Sequence, residues 1–281
     1  MNITTIPKFL GTKNSISISL IISIYILFLV TNVKSDFSFD FPNFNLDIVK
    51  EGIAFANDAT LKNGVIQLTK KDDYGYPLKH SAGQFGLITP IQIYDKTTGK
   101  VADFVTEFTF LVNTNGRSNY GDGFAFFIVS PNFKIPDKKK SEGGNLGIFT
   151  SETALYTKEV LLVEFDTFSN EWDPSPVTQF AHIGIDVNSI RSVVYTPWYS
   201  DFTLDGNVGK ARIEYDSSDK KLKVLVTYFN KGPILNGESS LVYNIDLTTF
   251  LPEKVQIGFS ASTGDLVETH DILSWSFKSN I

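Results

Sequence analysis

The 281-residue sequence contains no cysteine, one methionine and only three histidines. Without cysteine there are no disulfides, so stability must come from a large core, from subunit contacts or from a bound metal. Three histidines also leave little room for a nucleophile–base arrangement. No Asn-x-Ser/Thr sequon follows residue 35, so we expect no N-linked glycan beyond that point.

Long apolar runs are scarce as well, the exception being ISISLIISIYILFLV at 16–30. Lys8 and Lys13 precede this run, and small residues lead up to Ser35, as in a secretory signal peptide. A membrane-spanning helix needs about 20 apolar residues, so this run is short for one. The pattern predicts cleavage near Ser35, with an uncleaved anchor as the alternative.

The predicted parts of the chain are therefore a signal peptide, 1–35, and one mature domain, 36–281. This organisation predicts entry into the secretory pathway and an extracellular or vacuolar destination. No apolar span follows the last strand-like segment. We therefore expect a soluble mature product with no membrane span after signal cleavage.

A basic surface is also missing. Loss of residues 1–35 removes three of the 25 basic residues and none of the 31 acidic ones, which leaves 22 against 31 and a net charge of −9. This balance argues against nucleic acid as a partner, because nucleic-acid binding relies on lysine and arginine neutralising phosphates. The run KKK at 138–140 is interpreted as a solvated loop.

Segments of period two, rich in β-branched residues and in the chain's 24 Phe and 11 Tyr, dominate the remainder. The predicted strands are 36–41, 65–68, 106–112, 124–130, 160–168, 182–187, 210–215, 221–228, 255–261 and 272–277. Tight turns are predicted at Asn63-Gly64, Asn115-Gly116, Asp205-Gly206 and Asn236-Gly237. No sustained helical period follows the signal peptide. The fold class is therefore predicted to be all-β, a jelly-roll sandwich.

The stretch VEFDTFSNEWDP at 163–174 begins as one of these strands and continues into an acidic loop. Glu164 and Asp166 are two residues apart, so they share a strand face. Two carboxylates that close repel each other unless a cation lies between them. The loop then adds Asn170 and Asp173, and a hairpin can bring His182 back beside Asp166.

These ligands divide by chemical hardness. Calcium prefers oxygen ligands, which Asp166, Asn170, Asp173 and a carbonyl near Phe168 can supply. Manganese also accepts nitrogen. Three carboxylates and an imidazole suit manganese, namely those of Glu164, Asp166, Asp173 and His182. Spacing alone leaves open an acidic surface loop with a structural histidine.

A glycoside hydrolase is a further alternative, because such enzymes use two carboxylates. Jelly-roll glucanases resemble this stretch, but they carry a second glutamate where this chain has Phe168 or Ser169. The missing glutamate argues against an enzyme.

The chain resembles the legume lectin family through five segments that occur in the family's order. They are GDGFAFFIVSP (121–131), GGNLGIF (143–149), VEFDTFSNEWDP (163–174), HIGIDVNSI (182–190) and GFSASTG…HDILSWSF (258–277). The resemblance implies a jelly-roll lectin that binds sugar beside a Ca²⁺/Mn²⁺ pair. It also implies a cis peptide bond between Gly121 and Asp122.

By matching position, the resemblance implies two ligand sets. The manganese set is Glu164, Asp166, Asp173 and His182, with Ser192 acting through water; the calcium set is Asp166, the Phe168 carbonyl, Asn170 and Asp173. The implied sugar contacts are the Asp122 carboxylate, the Gly144 backbone, the Asn170 amide and the Phe168 ring. Taken alone, Asp122 also suits a turn cap, and Gly144 suits a flexible loop.

The last implied sugar loop is STGDLVETHD at 262–271. Its length resembles that of mannose- and glucose-binding members. Those members commonly carry Ala-Glu where this chain carries Asp265-Leu266, which puts a carboxylate one position earlier. We expect a mannose/glucose-type preference, while galactose, fucose or complex-glycan specificity remains open.

The resemblance further implies glycans and glycoproteins as partners, assembly into a homodimer or homotetramer, and a role in plant defence. The alternative in a different class is a storage or defence relative that binds no carbohydrate. Such relatives tend to lose metal or sugar residues, and this chain keeps both sets. A receptor-type lectin module is a further option.

Overall fold

The computed structural model describes residues 36–174, 181–198, 205–228 and 238–281. The described residues lie in one compact unit, Asp36–Ile281. The predicted signal peptide and the predicted turn at Asn236-Gly237 lie outside the described residues. Among the helices of the described ranges, none is long and apolar enough to cross a bilayer.

Eighteen strands make up most of the described chain. They are β1 (Phe37–Phe41), β2 (Ile53–Asn57), β3 (Thr60–Lys62), β4 (Val65–Gln67), β5 (Ser81–Leu87), β6 (Ile91–Gln92), β7 (Tyr94–Asp95), β8 (Lys100–Val101), β9 (Asp103–Asn113), β10 (Gly123–Val129), β11 (Val160–Asp166), β12 (His182–Val187), β13 (Ser192–Pro197), β14 (Asp205–Asp216), β15 (Lys221–Tyr228), β16 (Glu238–Asn244), β17 (Lys254–Thr263) and β18 (Thr269–Asn280). The helices are α1 (Leu46–Gly52) and α2 (Lys138–Ser141), and single 3-10 turns span Gly143–Asn145 and Leu247–Thr249.

Within the described ranges these strands form two large antiparallel sheets. The back sheet has the order β16-β15-β14-β9-β18-β4-β3, with β1 also pairing with β18. The front sheet has the order β13-β12-β11-β10-β17-β5-β2, with β6 also pairing with β17. Strands β7 and β8 form a separate small ribbon. The all-β sandwich predicted from the sequence is confirmed.

The two sheets pack face to face through aromatic side chains. Residues alternate between buried and half-buried along the back-sheet strand β9, as expected for a strand with one face in a core. Phe108 of this strand lies 4.8 Å, centroid to centroid, from Phe259 of the front sheet. Phe110 lies 5.0 Å from Phe124. These contacts between the sheets make a phenylalanine-rich core that needs no disulfide.

The front sheet is buried on both faces around β10 and β11. Its outer face is covered by a second apolar cluster that joins strand residues such as Phe127 and Leu162 to loop residues such as Ile148, Phe149 and Ile190. This cover explains why both strands are apolar almost throughout. It also means that a polar residue on the outer face of β11 is removed from water.

The structure adds one short helix and corrects two local predictions. Helix α1 is capped by Asn45, whose side chain accepts hydrogen bonds from two backbone N–H groups; seven residues are too few to show a helical period. The run 138–140 lies in α2 rather than in a loop, and Lys138 pairs with Asp58 at 3.2 Å. Asp205-Gly206 lies at a register shift within β14, not at a tight turn.

We predict that Phe165→Ala lowers the free energy of unfolding by about 3–5 kcal/mol, because the ring is fully buried and stacks on Phe124 at 4.4 Å. Chemical denaturation measures this loss. Val242→Ala, at an exposed strand position, is the control and is expected to cost about 0.5 kcal/mol or less. Equal losses in the two variants would contradict the proposed core.

Candidate functional site

Three neighbouring strands of the front sheet bring the acidic residues together. Strand β11 pairs with β10 on one side and with β12 on the other. In this register Asp166 lies opposite Gly123 and His182, and Glu164 lies opposite Gly184. The hairpin predicted to return His182 to Asp166 is therefore present.

Glu164 is the centre of the resulting polar cluster. Its Oε1 atom lies 3.0 Å from His182 Nε2 and accepts a hydrogen bond from the Ser192 hydroxyl. Its Oε2 atom is buried and has no hydrogen-bond partner among the described residues. One ligand atom each from Glu164, Asp166 and His182 lie within 4.8 Å of one another. The arrangement can hold a metal ion.

The loop after β11 folds back on the same cluster. Asp166 Oδ1 accepts a hydrogen bond from the Phe168 N–H at 2.7 Å, and Asp173 Oδ2 accepts one from the Asn170 N–H at 2.5 Å. Asp173 is buried, and the buried Asn170 Oδ1 atom is unpartnered within the described residues. The loop thus adds oxygen atoms on the side of Asp166.

Asp186 is a further buried acid that the sequence reasoning missed. Its Oδ1 lies 2.9 Å from the Ser192 hydroxyl oxygen, whose single proton is shared between Asp186 and Glu164, while Oδ2 has no partner in the described ranges. The available signal was the two-residue period of β12, which places residues 182, 184 and 186 on one face. Ser192, which was predicted from the family pattern, joins Asp186 to Glu164.

Burial and mutual repulsion disfavour ionisation of Asp166, Asp173 and Asp186. Burial raises the pKa of Asp166 well above its usual range, and the charges of Glu164 and Asp173 add to this rise. Burial, with the charge of Glu164, does the same to the pKa of Asp186. Burial raises the pKa of Asp173 to about 6, although the Asn170 backbone hydrogen bond opposes the shift.

The pKa of His182 is also raised, which for an imidazole favours the charged form. Burial lowers the pKa of His182, but the hydrogen bond to Glu164 and the charges of Glu164 and Asp173 outweigh burial, so the net pKa is raised. An imidazole therefore supplies part of the positive charge that the carboxylates require. In the part of the chain that is described, no lysine or arginine forms an ion pair with Glu164, Asp166 or Asp186.

Asp122 lies beside this cluster, at the start of β10. The Gly121–Asp122 peptide bond is cis, as the family pattern implied. The Asp122 carbonyl accepts a hydrogen bond from the Thr167 N–H at 3.1 Å. The Asp122 N–H donates to the Ser262 carbonyl at 3.3 Å. Its buried Oδ2 atom is unpartnered within the described residues. Burial raises the pKa of Asp122 to about 7; a Gly264 backbone hydrogen bond opposes the rise, and the charges of Glu268 and Asp265 add to it.

The loops around Asp122 approach one another closely at glycine residues. A methyl group placed on Gly264 would lie 3.2 Å from both Asp122 Oδ2 and Gly143 Cα. One on Gly144 would lie 2.6 Å from Asn170 Oδ1, and one on Gly121 would lie 3.0 Å from Phe168 Cβ. The predicted sugar residues Asp122, Gly144, Asn170 and Phe168 are thus brought together.

The two predicted residues of the last loop occupy the rim. Asp265 is 86% exposed and lies 3.6 Å from Lys79 and 3.7 Å from His80. Leu266 is half-buried. The backbone N–H of His80 donates to the Gly264 carbonyl, and its ring lies 3.4 Å from Glu142. His80 was missed because nothing in the sequence separates it from any exposed loop histidine.

The assembled surface offers a buried carboxylate, an amide and a partly exposed aromatic ring. A carboxylate accepts hydrogen bonds from hydroxyl groups, and an amide both donates and accepts them. Phe168 is 37% exposed, and its ring can offer an apolar face. This combination matches a polyhydroxylated ring compound that has polar edges and an apolar C–H face.

Comparisons with known proteins agree with this geometry. Residues 36–281 match the family model described as the legume lectin domain. Lectin 11 of Medicago truncatula is 70% identical over 284 residues, covering 100% of this chain and 95% of that protein. The proteins that this chain resembles are lectins, not enzymes.

Solved structures show the same relationship. The metal-free form of lectin I-B4 from Griffonia simplicifolia has a TM-score of 0.78 at 40% identity, covering 87% of this chain and 100% of that one. The Bauhinia forficata lectin, solved in complex with GalNAc, has a TM-score of 0.74 at 38% identity, covering 87% and 98%. The chain belongs to the legume lectin family and is a carbohydrate-binding protein of that family.

Proposed function

We propose that this lectin binds a saccharide in a metal-dependent manner, at the surface formed by Asp122, Gly144, Asn170 and Phe168. The observation that carries the proposal is the buried, unpartnered Asp122 carboxylate oxygen beside a second group of buried carboxylates. A buried acceptor without a donor is costly. A saccharide hydroxyl group can supply the missing donor.

The proposed metal ligands are those that the family resemblance implies, and the clustering of Glu164, Asp166 and His182 supports the proposal. Glu164, Asp166, Asp173 and His182, with Ser192 through water, would hold Mn²⁺. Asp166, the Phe168 carbonyl, Asn170 and Asp173 would hold Ca²⁺. When bound, these ions supply positive charge that neutralises the crowded carboxylates and fixes the loop that carries Phe168 and Asn170.

The described residues fit such ions on three counts. Buried oxygen atoms of Glu164, Asp186 and Asn170 are unpartnered within the described ranges. The donor set combines hard oxygen atoms with one imidazole, which suits calcium beside manganese. Gly184 leaves room for the side chains of Glu164 and Ser192 to reach the cluster, because a methyl group there would overlap Ser192 Oγ and Glu164 Oε1.

The saccharide contacts divide between polar and apolar groups. The Asp122 carboxylate accepts from hydroxyl groups, and hydrogen bonds to a charged group are stronger than neutral ones. The Gly144 backbone and the Asn170 amide donate to sugar oxygen atoms. The Phe168 ring packs under the C–H face of the pyranose.

Asp265 and Leu266 are proposed to set the sugar preference from the rim. The length of loop 262–271 supports a mannose/glucose-type site. Galactose-type sugars are the second candidate, because the Bauhinia forficata lectin was solved with GalNAc. Specificity turns on small changes around hydrogen-bonded hydroxyl groups, so a direct comparison of sugars decides between the two.

Binding without catalysis is proposed because the relatives are lectins and because Phe168 or Ser169 stands where glucanases carry a second glutamate. A storage or defence relative without sugar binding is less well supported, since Asp122, Gly144 and Asn170 are retained and assembled. We further propose a signal peptide at 1–35, a homodimer or homotetramer, an extracellular or vacuolar location, glycoprotein partners and a role in plant defence.

We predict that dialysis against EDTA at low pH abolishes saccharide binding and lowers the Tm, and that Ca²⁺ with Mn²⁺ restores both. The Tm gap between metal-loaded and metal-free protein should widen from about pH 5 to about pH 7.5. Asp122 and Asp173 have pKa values raised to about 7 and about 6, so the metal-free fold loses stability as these groups ionise.

Calorimetric scans at one fixed metal concentration measure this gap. Because both forms share every titrating group outside the proposed metal site, the difference isolates the ionisable groups of that site, which are the buried carboxylates and His182. A gap that stays constant or narrows with rising pH, or full binding after chelation, would contradict the metal proposal.

Gly184→Ala is predicted to lower Mn²⁺ affinity by about 10- to 100-fold, because the methyl group displaces Glu164 and Ser192. Isothermal titration of the metal-free protein with Mn²⁺ measures the change. Gly52→Ala is the matched control, since a methyl group there meets no atom within 4 Å. Wild-type Mn²⁺ affinity in Gly184→Ala would remove this cluster as the site.

Asp122→Asn is predicted to weaken saccharide binding by about 100-fold while both metal ions remain bound. Titrations with methyl α-mannoside, galactose, N-acetylgalactosamine and L-fucose identify the preferred sugar of the wild type and the loss in the variant. Asp219→Asn makes the same charge change at an exposed position and is the control. Unaltered affinity in Asp122→Asn would exclude Asp122 as a contact.

A further inference from the structure

Two ionisable side chains near the start of β18 have no part in the site described above. Glu268 and His270 are fully buried, and His270 Nε2 lies 3.0 Å from Glu268 Oε1. A buried pair of this kind is expensive to desolvate, and apolar residues of similar size are often at least as stabilising. Core stability alone therefore does not account for the pair.

The pair belongs to a chain of hydrogen bonds that ends at the saccharide surface. Thr69 Oγ1 lies 3.1 Å from His270 Nδ1. At the other end, the Thr167 hydroxyl donates to Glu268 Oε1 at 2.5 Å. The two nitrogen atoms of the His270 ring thus contact Glu268 on one side and Thr69 on the other.

Thr167 connects the two halves of the proposed site. In sequence it lies between Asp166, a proposed metal ligand, and Phe168, the proposed stacking ring. Its backbone N–H donates to the Asp122 carbonyl at 3.1 Å. The side chain of Thr167 is thus anchored to Glu268, directly before β18, while its backbone holds Asp122, the residue proposed to face the sugar.

Glu268 is also electrostatically close to the saccharide surface. Its charge contributes to the raised pKa of Asp122, after the larger effect of burial. Its Oε2 atom is buried and unpartnered in the described ranges. It follows Leu266 by two positions and lies within the loop 262–271.

We propose that Glu268 is a positioning residue for saccharide binding. Glu268 accepts a hydrogen bond from the Thr167 side chain and so fixes the distance between Asp122 and the loop that carries Phe168 and Asn170. His270, which contacts Thr69, fixes the orientation of the Glu268 carboxylate. Glu268 does not touch the sugar. This inference rests on the saccharide site proposed above.

The test compares Thr167→Val, which removes only the hydroxyl donor, with Glu268→Gln, in protein saturated with Ca²⁺ and Mn²⁺. The probe is whichever of the four monosaccharides the wild type binds. We expect Kd to rise about tenfold in each variant, as for loss of a hydrogen bond to a charged group. Metal content and the number of sites per chain should stay at wild-type values. Thr167→Ser, which restores the hydroxyl, should recover most of the affinity.

Asp271→Asn is the matched control. Asp271 is another buried acid, three residues after Glu268, but its carboxylate pairs with Lys71 at 2.5 Å rather than with Thr167. This variant should lower Tm without altering Kd. A purely structural role for Glu268 predicts the same behaviour in all the variants, namely a lower Tm and an unchanged Kd, and that result would overturn the proposal. Loss of bound metal in Thr167→Val or Glu268→Gln would also overturn it.

Amide hydrogen exchange supplies a readout that needs no sugar. In metal-saturated Thr167→Val, exchange should speed up at 121–123 and 166–170 and stay unchanged in Asp271→Asn. Unchanged exchange at both segments contradicts the positioning role. If exchange speeds up at these segments as expected but the wild type binds no saccharide, the proposed function is contradicted and the positioning role is not.

Discussion

The crowding of buried carboxylates on three neighbouring strands is the constraint on which the rest of this site depends. Glu164, Asp166 and Asp186 lie on the outer face of the front sheet, where loops exclude water. One imidazole, one hydroxyl group and a few backbone N–H groups satisfy only part of their oxygen atoms. A sheet that places acids in this way leaves buried carboxylate oxygen atoms that a cation could bind.

The proposed function links metal binding to carbohydrate binding through one loop. The loop beside the acidic cluster also carries Phe168 and Asn170, and its first residue, Thr167, donates a hydrogen bond to the backbone of Asp122. In this proposal, charge neutralisation on one side of the loop orders the saccharide surface on the other side. The phenylalanine core beneath keeps the three strands in register, so the ligands meet without a disulfide.

Most of the strands were predictable, and the exceptions have physical causes. Strand β5 was missed because it contains Gly83 and Gly86, which weaken a strand signal. Gly83 is required there, since a methyl group would lie 2.5 Å from the Ala59 nitrogen. Tertiary packing thus selects a residue that local propensity disfavours. At Asp205-Gly206 a tight turn was predicted where the structure has an irregularity within a strand. Both features use a glycine at positive φ, so the sequence does not separate them.

The sequence by itself determined the all-β class, the strand that carries Glu164 and Asp166, and the family to which the chain belongs. These features are carried by local periodicity and by residue order. Only the tertiary structure showed Asp186 in the cluster, Glu268 behind Thr167, and Asp265 turned toward Lys79 and His80. Such contacts join residues far apart in the chain, and their partners follow from strand register and loop packing, which the residue order of one segment does not specify.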